Sequence, residues 1–354
     1  MRRISIENCH EGMILGKTIF SDGSRILLNE GVELKQSYIE RLKLYNVSEI
    51  YIQDELSSDI FISDVVDERT RIEAKALVKS VMEDCRKNSR IDSDRAKLMV
   101  DRIIDELLSQ RDILVNLSDI KTTDDYTFAH SVNVCILSLI TGMKLGLNQL
   151  RLKDLGVGAL LHDIGKTLVP AEIIKKPGEL TDEEYETVKQ HTVLGHNILK
   201  ADLDISISSA FVAFGHHERY DGSGYPMGLK GDNIHLFARI VAIADVYDAL
   251  TSDRVYHKKM KNHEAIELIT TVGAHQFDNE ILQCFIKNIA MYSMGTGVIL
   301  DTGERGIVVD CNKDFPTRPV IRIVYRANGE KVNVYEEIDL TKKLNVFVMD
   351  SCEL

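Results

Sequence analysis

Between His162 and Asp245 the chain reads HDIGK at 162–166, VKQH ending at His191, HHERYDGSGYP at 216–226 and IADVYD at 243–248. Imidazole and carboxylate are the donors that oxygen- and nitrogen-preferring transition metals select, and no thiolate stands among them. His162 and Asp163 are adjacent, as are His216 and His217, so one short segment can reach two neighbouring cations. The pattern predicts a two-metal hydrolase centre, in which a pair of cations shares a hydroxide and clamps a phosphate oxygen. Apolar residues at 159–161 and Gly165 behind the pair predict a helix that ends at the site.

A lone histidine on an apolar face is usually a satisfied core residue. A His-Asp pair with a lysine three residues on, in a chain with suitably placed histidines elsewhere, fits a metal site better. Asp163 is the natural bridging carboxylate, because its two oxygens can each meet a different cation. Asp245 sits in the apolar stretch IVAIADVYDAL, where a carboxylate without a partner would be costly, and this favours a ligand role. Asp248 shares its face and is expected either to orient a ligand or the attacking water, or to serve as a cap or ion-pair partner. Lys166 lies one helical turn from Asp163 and presents a mobile cation, suited to stabilising the charge that develops on a phosphate; the spacing favours this over a solvated surface lysine.

The loop Asp221-Gly222-Ser223-Gly224-Tyr225-Pro226 lets backbone approach a ligand at Gly224, stiffens its exit with Pro226 and offers the Tyr225 ring to a base. A ligand-free tight turn would use the glycines equally well. Downstream, SDRVYHKKMK gathers Arg254, Lys258, Lys259 and Lys261 in a protein of net charge −12.

HD followed by GK, the later HHE, DG-x-GYP and the terminal Asp together resemble the HD-GYP branch of the HD-domain phosphohydrolases, over roughly 124–285. The resemblance implies a metal-dependent phosphodiesterase of bacterial signalling that hydrolyses cyclic di-GMP to linear pGpG and on to GMP. It places a ligand at His130 on the preceding helix, and at His191 in preference to His196, which would pack or support. It divides the ligands into His130, His162, Asp163 and Asp245 on one side and Asp163, His191, His216 and His217 on the other. Neighbouring helical residues point about 100° apart, so His216 and His217 meet one ion only through a local distortion or at a helix end. Arg254 matches a family position that contacts substrate phosphate, a task that suits a guanidinium fork. Where the family usually carries another basic residue stands His257, with Lys258 as a substitute. Some members bind a third metal through a glutamate one turn before the first histidine; Tyr126 stands there, so two divalent ions are expected, iron or manganese given the donor set. The rival readings are the same chemistry on another cyclic dinucleotide or a nucleotide phosphate, and a non-catalytic nucleotide-binding signalling module.

Composition frames this. At 354 residues, with 44% hydrophobic and 28% charged, several folded domains are expected. The acidic balance excludes a general nucleic-acid binder and leaves a small-molecule substrate. Six scattered cysteines without a CxxC pair predict reduced thiols. No apolar run is long enough to span a bilayer, and the N-terminus lacks a signal-peptide pattern, so a cytoplasmic protein without a membrane partner is expected.

Residues 1–62 read as a small mixed α/β domain, with Ser37 capping a helix through Ile39, Leu42 and Leu44 ahead of a strand at 48–53. Residues 63–117 read as connecting helices. Their stripes Leu77, Val81, Met82, Cys85 and Ala96, Val100, Ile103, Ile104, Leu107, Leu108 fit packing, with a homodimer or a lever as alternatives. Residues 118–290 read as an all-α HD-type catalytic domain. Residues 291–354 read as a small antiparallel β domain with strands at 296–300, 306–310, 320–325 and 331–335, the last two joined at Asn328-Gly329.

Overall fold

The computed structural model describes residues 1–21, 25–45, 47–62, 64–88, 91–110, 126–252, 259–271, 273–312 and 315–354. These cluster into two compact units. One takes the described residues of 65–113 and 127–286; the other takes those of 1–64 and 287–354, so the two ends of the chain share a unit.

In the first unit every described element is helical. Helix α2 (Glu68–Asn88) and helix α3 (Ser93–Ser109) carry the two apolar stripes. Asp92 caps α3 by accepting from the Arg95 amide. Leu77, Val81, Met82, Cys85, Ala96, Val100, Ile103, Ile104 and Leu107 are all buried within the unit, which uses both stripes for packing. Leu108 departs from its expected place: it is 58% exposed, one position past the face that Ile104 and Leu107 define.

Helices α4 (Tyr126–Lys144) and α5 (Gln149–Leu160) follow, then the short α6 (Ala171–Ile174), α7 (Asp182–Lys189), α8 (His191–Ala201), α9 (Ile207–Gly215), α10 (Leu236–Thr251), α11 (Asn262–Thr271) and α12 (Asn279–Ile286). In α4 residues 130–142 are buried on every side, and α10 is buried along most of its length. A helix apolar all round belongs at the centre of a core. His130 lies on α4, and Asp245 and Asp248 on α10.

The second unit holds the sheets. In its N-terminal part β1 (Arg2–Ser5) and β2 (Ile14–Leu15) flank β5 (Glu49–Gln53), all antiparallel, and β3 (Ile19–Phe20) pairs with β4 (Ile26–Leu28). Helix α1 (Gln36–Leu44) buries Ile39 and Leu42. Its N-cap is Lys35, with no side-chain cap, and Ser37 lies inside the first turn; Leu44 is 83% exposed.

The C-terminal sheet is five-stranded and antiparallel, in the order β10 (Val348–Cys352), β6 (Gly297–Leu300), β7 (Arg305–Asp310), β8 (Val320–Tyr325), β9 (Glu337–Asp339). Asn328-Gly329 does form the expected turn: Gly329 adopts φ 84° and its amide donates to the Arg326 carbonyl. The strand expected at 331–335 is absent. Only Lys331 makes a bridge, to Tyr325, and Val334 is 84% exposed. Val332 still packs against the sheet core and its amide donates to Val324, but the chain turns outward by Val334, and the β9 strand begins at Glu337.

Candidate metal centre

Helix α5 stops at Leu160, and the turn after it presents His162 and Asp163 ahead of a 3-10 segment, Ile164–Leu168. Gly165 explains how close this turn lies to α8. A Cβ added there would sit 1.9 Å from the His191 carbonyl oxygen and 2.5 Å from the Gly195 nitrogen. Main chain therefore meets main chain where His191 opens α8. Helix α9 ends at Gly215, with His216 as its C-cap, so the histidine pair stands at a helix end, where the two rings are freed from helical spacing. His130 comes from the first turns of α4, and Asp245 and Asp248 from α10.

Ligand atoms of Asp163, His191, His216 and His217 lie within 4.8 Å of one another, and those of His130, His162 and Asp245 form a second such group. The backbone aims three of the rings. His162 Nδ1 donates to the Ala159 carbonyl at 2.8 Å, His191 Nδ1 to Val188 at 2.6 Å, and His216 Nδ1 to Val212 and Ala213 at 3.1 Å. With Nδ1 carrying the proton, each Nε2 presents a lone pair, the tautomer a metal takes. Those lone pairs converge: His191 Nε2 and His216 Nε2 are 3.3 Å apart. Both face Asp163 Oδ1, at 3.5 and 3.7 Å, while His162 Nε2 faces Asp163 Oδ2 at 3.4 Å. The two oxygens of Asp163 thus point at different groups.

His162 Nε2 and Asp163 Oδ1 are buried without a hydrogen-bond partner. Such atoms are costly unless something binds them. A divalent cation fits the donor set, which is nitrogen and oxygen throughout.

The electrostatics agree. Burial lowers His191 to about 3, and burial with the neighbouring His216 holds His217 well below the ordinary imidazole range, so both rings stay neutral. Burial pushes the Asp163 carboxyl up, but the Lys166 ammonium and the His162 ring outweigh it and hold it well below the usual carboxylate range. His130 differs. Burial would lower it, yet hydrogen bonds to Asp245 and Asp248 prevail and raise it to about 9. Its Nε2 is 3.0 Å from Asp245 Oδ1 and its Nδ1 2.7 Å from Asp248 Oδ2. The proton between His130 and Asp245 occupies the place where a cation would compete for both donors.

Lys166 Nζ reaches Asp163 Oδ2 at 2.6 Å. Gly224 packs against the histidine pair: a Cβ would lie 2.5 Å from the His217 carbonyl oxygen, and the Tyr225 amide donates to that oxygen. The Tyr225 ring lies 4.8 Å from the His217 ring, and the Tyr225–Pro226 peptide is cis. Burial pushes the Tyr225 phenol up, so it stays neutral. His196 packs between Phe211 and Phe214, with Nδ1 donating to the Ala210 carbonyl, outside both groups. Arg254, His257 and Lys258 lie outside the described residues, as does the side chain of Tyr126.

Several neighbours escaped the sequence reading. Tyr185 and Lys189 of α7 join Tyr225, with Lys189 Nζ 4.7 Å from the Tyr185 ring centre and 5.5 Å from that of Tyr225. Buried Glu218 accepts from the Met227 and Leu229 amides at 2.8 and 2.9 Å and so closes the loop. Asn133 donates to Asp248 Oδ1 at 2.7 Å. The Glu of HHE was in plain sight; Tyr185, Lys189 and Asn133 belong to no spaced pattern.

Comparison with known proteins gives the family of the segment that holds these residues. Residues 114–281 match the HD domain family, and residues 297–354 match a KOW domain associated with HD domains. A cyclic di-GMP phosphodiesterase of Pseudomonas aeruginosa is 37% identical over 267 residues, covering 75% of this chain and 64% of its own length. The part of the helical unit within 114–281 is an HD domain, and its motifs resemble the HD-GYP type. A cyclic di-GMP phosphodiesterase of Thermotoga maritima is 38% identical to the chain, over 52% of this chain and 50% of its own. A 3′3′-cGAMP-specific phosphodiesterase of Vibrio cholerae is 36% identical, over 53% and 43%. The chain therefore spans less than two thirds of the length of these relatives. Among solved structures, an HDG"Y"P protein from Bdellovibrio bacteriovorus superposes with a TM-score of 0.52 at 18% identity, covering 80% of this chain and 97% of that one, a likeness of fold. No helix among the described residues is long and apolar enough to cross a membrane.

Proposed function

We propose that this HD-GYP chain is a metal-dependent phosphodiesterase that hydrolyses cyclic di-GMP to pGpG and then to GMP. The observation that carries the reading is the convergence of three backbone-aimed histidine Nε2 atoms on a buried aspartate with an unpartnered oxygen. Two ions, iron or manganese, would be held by His130, His162, Asp163 and Asp245, and by Asp163, His191, His216 and His217. When bound, they supply a water of lowered pKa and positive charge for a phosphate oxygen.

The chain's own residues do the rest. Water attacks phosphorus, the bond from phosphorus to the sugar oxygen breaks, and the ring opens. Lys166, held beside Asp163, takes up charge developing on the phosphate. Tyr225 and Gly224, with Pro226 at the loop's exit, border the substrate on the histidine-pair side, and Arg254 with Lys258 would grip its second phosphate. The thiols of Cys9, Cys85, Cys135 and Cys311 are free, which supports a reducing cytoplasm.

A second substrate has one observation in its favour, the similarity to a 3′3′-cGAMP-specific enzyme. The test is incubation of metal-loaded protein with cyclic di-GMP, cyclic GMP-AMP, cyclic di-AMP and a nucleoside monophosphate, with products resolved by chromatography. Fastest loss of cyclic di-GMP, with pGpG appearing before GMP, is expected. Faster loss of cyclic GMP-AMP moves the substrate to the second reading. Binding of cyclic di-GMP without turnover by fully loaded protein replaces the enzyme with a nucleotide-binding module.

A further inference from the structure

We infer that Arg71, on helix α2 outside the segment matched as HD domain, is a positioning residue for the metal ligand His130, acting through Asn133 and Asp248. The inference rests on the metal reading above and extends it to a helix that the spaced motifs leave out.

Four side chains form a continuous line. Arg71 Nη2 donates to Asn133 Oδ1 at 2.8 Å, Asn133 Nδ2 to Asp248 Oδ1 at 2.7 Å, and His130 Nδ1 to Asp248 Oδ2 at 2.7 Å. The direction of every bond is fixed by chemistry. A guanidinium only donates and a carboxylate only accepts, so the Asn133 amide has one orientation that satisfies both neighbours. Asp248 then holds one His130 proton on Nδ1, so that the nitrogen facing Asp245 at 3.0 Å, Nε2, is the one whose proton a cation would displace. Asn133 and Asp248 are 1% and 2% exposed. An amide so deeply buried cannot turn to water when its partner is lost, and its unsatisfied oxygen would press on the whole line.

Charge points the same way. Asp248 is a buried carboxylate flanked by a second one, Asp245, one turn earlier on α10. The guanidinium across the Asn133 amide supplies a balancing cation without competing for the histidine. Helix α2 also touches the other ligand-bearing segment, where Thr167 Oγ1 lies 3.6 Å from Cys85 Sγ. At 1.5 Å per residue the two contacts are about 20 Å apart along α2. One helix thus braces both the α4 side and the HDIGK side of the centre.

The test is titration of manganese(II) alone into metal-stripped protein, read by calorimetry, for wild type, Arg71→Met, Arg71→Lys, Asn133→Ala, Arg71→Met/Asn133→Ala and, as a control, the exposed Arg86→Ala on the same helix. Partners that orient a metal-ligating histidine are worth about 10- to 100-fold in affinity. Arg71→Met should weaken one of the manganese sites by about tenfold, Arg71→Lys less, and Arg86→Ala not at all. The double variant should bind as Asn133→Ala does, because the line is already cut. Unchanged affinity in Arg71→Met, or losses that simply add in the double variant, overturns the inference. Should Arg71→Met not fold, Arg71→Lys on the two backgrounds gives the same comparison. Wild-type protein that takes up no manganese overturns the metal reading itself, and the positioning role with it.

Discussion

The sheet-bearing unit buries a charge at Arg322 and the helical unit at its ligand groups, and the two are treated in opposite ways. Arg322 in β8 is 8% exposed, and its guanidinium is answered throughout. Nη1 and Nη2 reach the two Asp59 oxygens at 2.7 and 2.6 Å, Nε and Nη2 reach Glu337 Oε1 at 3.1 and 2.6 Å, and Nη1 also meets the Leu56 carbonyl at 3.1 Å. In the helical unit His162 Nε2 and Asp163 Oδ1 are just as buried and have no hydrogen-bond partner. Leaving a buried polar atom unsatisfied costs about 1–3 kcal/mol. A charge whose every donor is used is explained by folding alone. One whose lone pairs gather and stay open is explained by what it binds.

That contrast can be broken most directly at Asp163. Asp163→Ala should lose both metals together and with them essentially all phosphodiesterase activity. A folded variant that retains two ions by metal analysis would remove the bridging role. Lys166→Ala comes next: metal content should be unchanged while turnover of cyclic di-GMP falls on the order of a hundredfold, as for other charge-stabilising groups. Normal turnover would make Lys166 a surface lysine. Arg254→Ala should act on binding, raising KM by roughly tenfold with kcat little changed; a fall in kcat alone would move it out of the phosphate grip.

The smallest effect belongs to the answered charge. Arg322→Met should lower stability by only about 1 kcal/mol and leave metal content untouched, because Asp59 and Glu337 are 61% and 48% exposed and water screens them. Its pH dependence has a definite sign. The Arg322 hydrogen bond lowers Asp59 to about 2. The stability it adds is fully present above the ordinary carboxylate value near ~4 and is lost as pH falls toward about 2. Denaturation curves of wild type and Arg322→Met should therefore converge in acid, and a gap that persisted at low pH would break the assignment to this pair.

Legibility in the sequence followed the same divide. His130, His162, Asp163, His191, His216, His217 and Asp245 come together as two groups, because chemistry demands particular side chains at particular spacings. Arg71 and Asn133 were not legible, and Glu218, visible within HHE, gave no sign of its role. Each acts through a hydrogen bond to a residue distant in sequence or to backbone, and a single sequence holds no sign of that partner. In the β unit the turn at Gly329 was readable from its dipeptide, but the strand after it was not. An alternating pattern says which face would be buried; Val332 does pack on the core, but the chain has turned outward by Val334, which the pattern could not show. Ser37 failed as a cap for a related reason: the helix began two residues earlier, at a lysine that caps nothing.

Glu218 carries one more consequence. By taking the Met227 and Leu229 amides it fastens the far side of the glycine loop to the residue next to His217. Tyr225 is tied to the His217 carbonyl on the near side. The loop proposed to border a nucleobase and the histidine proposed to hold a cation are therefore tied together on both sides. If the loop borders a base as proposed, a shift of the loop to fit a larger or smaller base would pull on His217 through these bonds. On the proposed reading, a change of base preference would then come through side chains of the loop, the Tyr225 ring first, and not through its length.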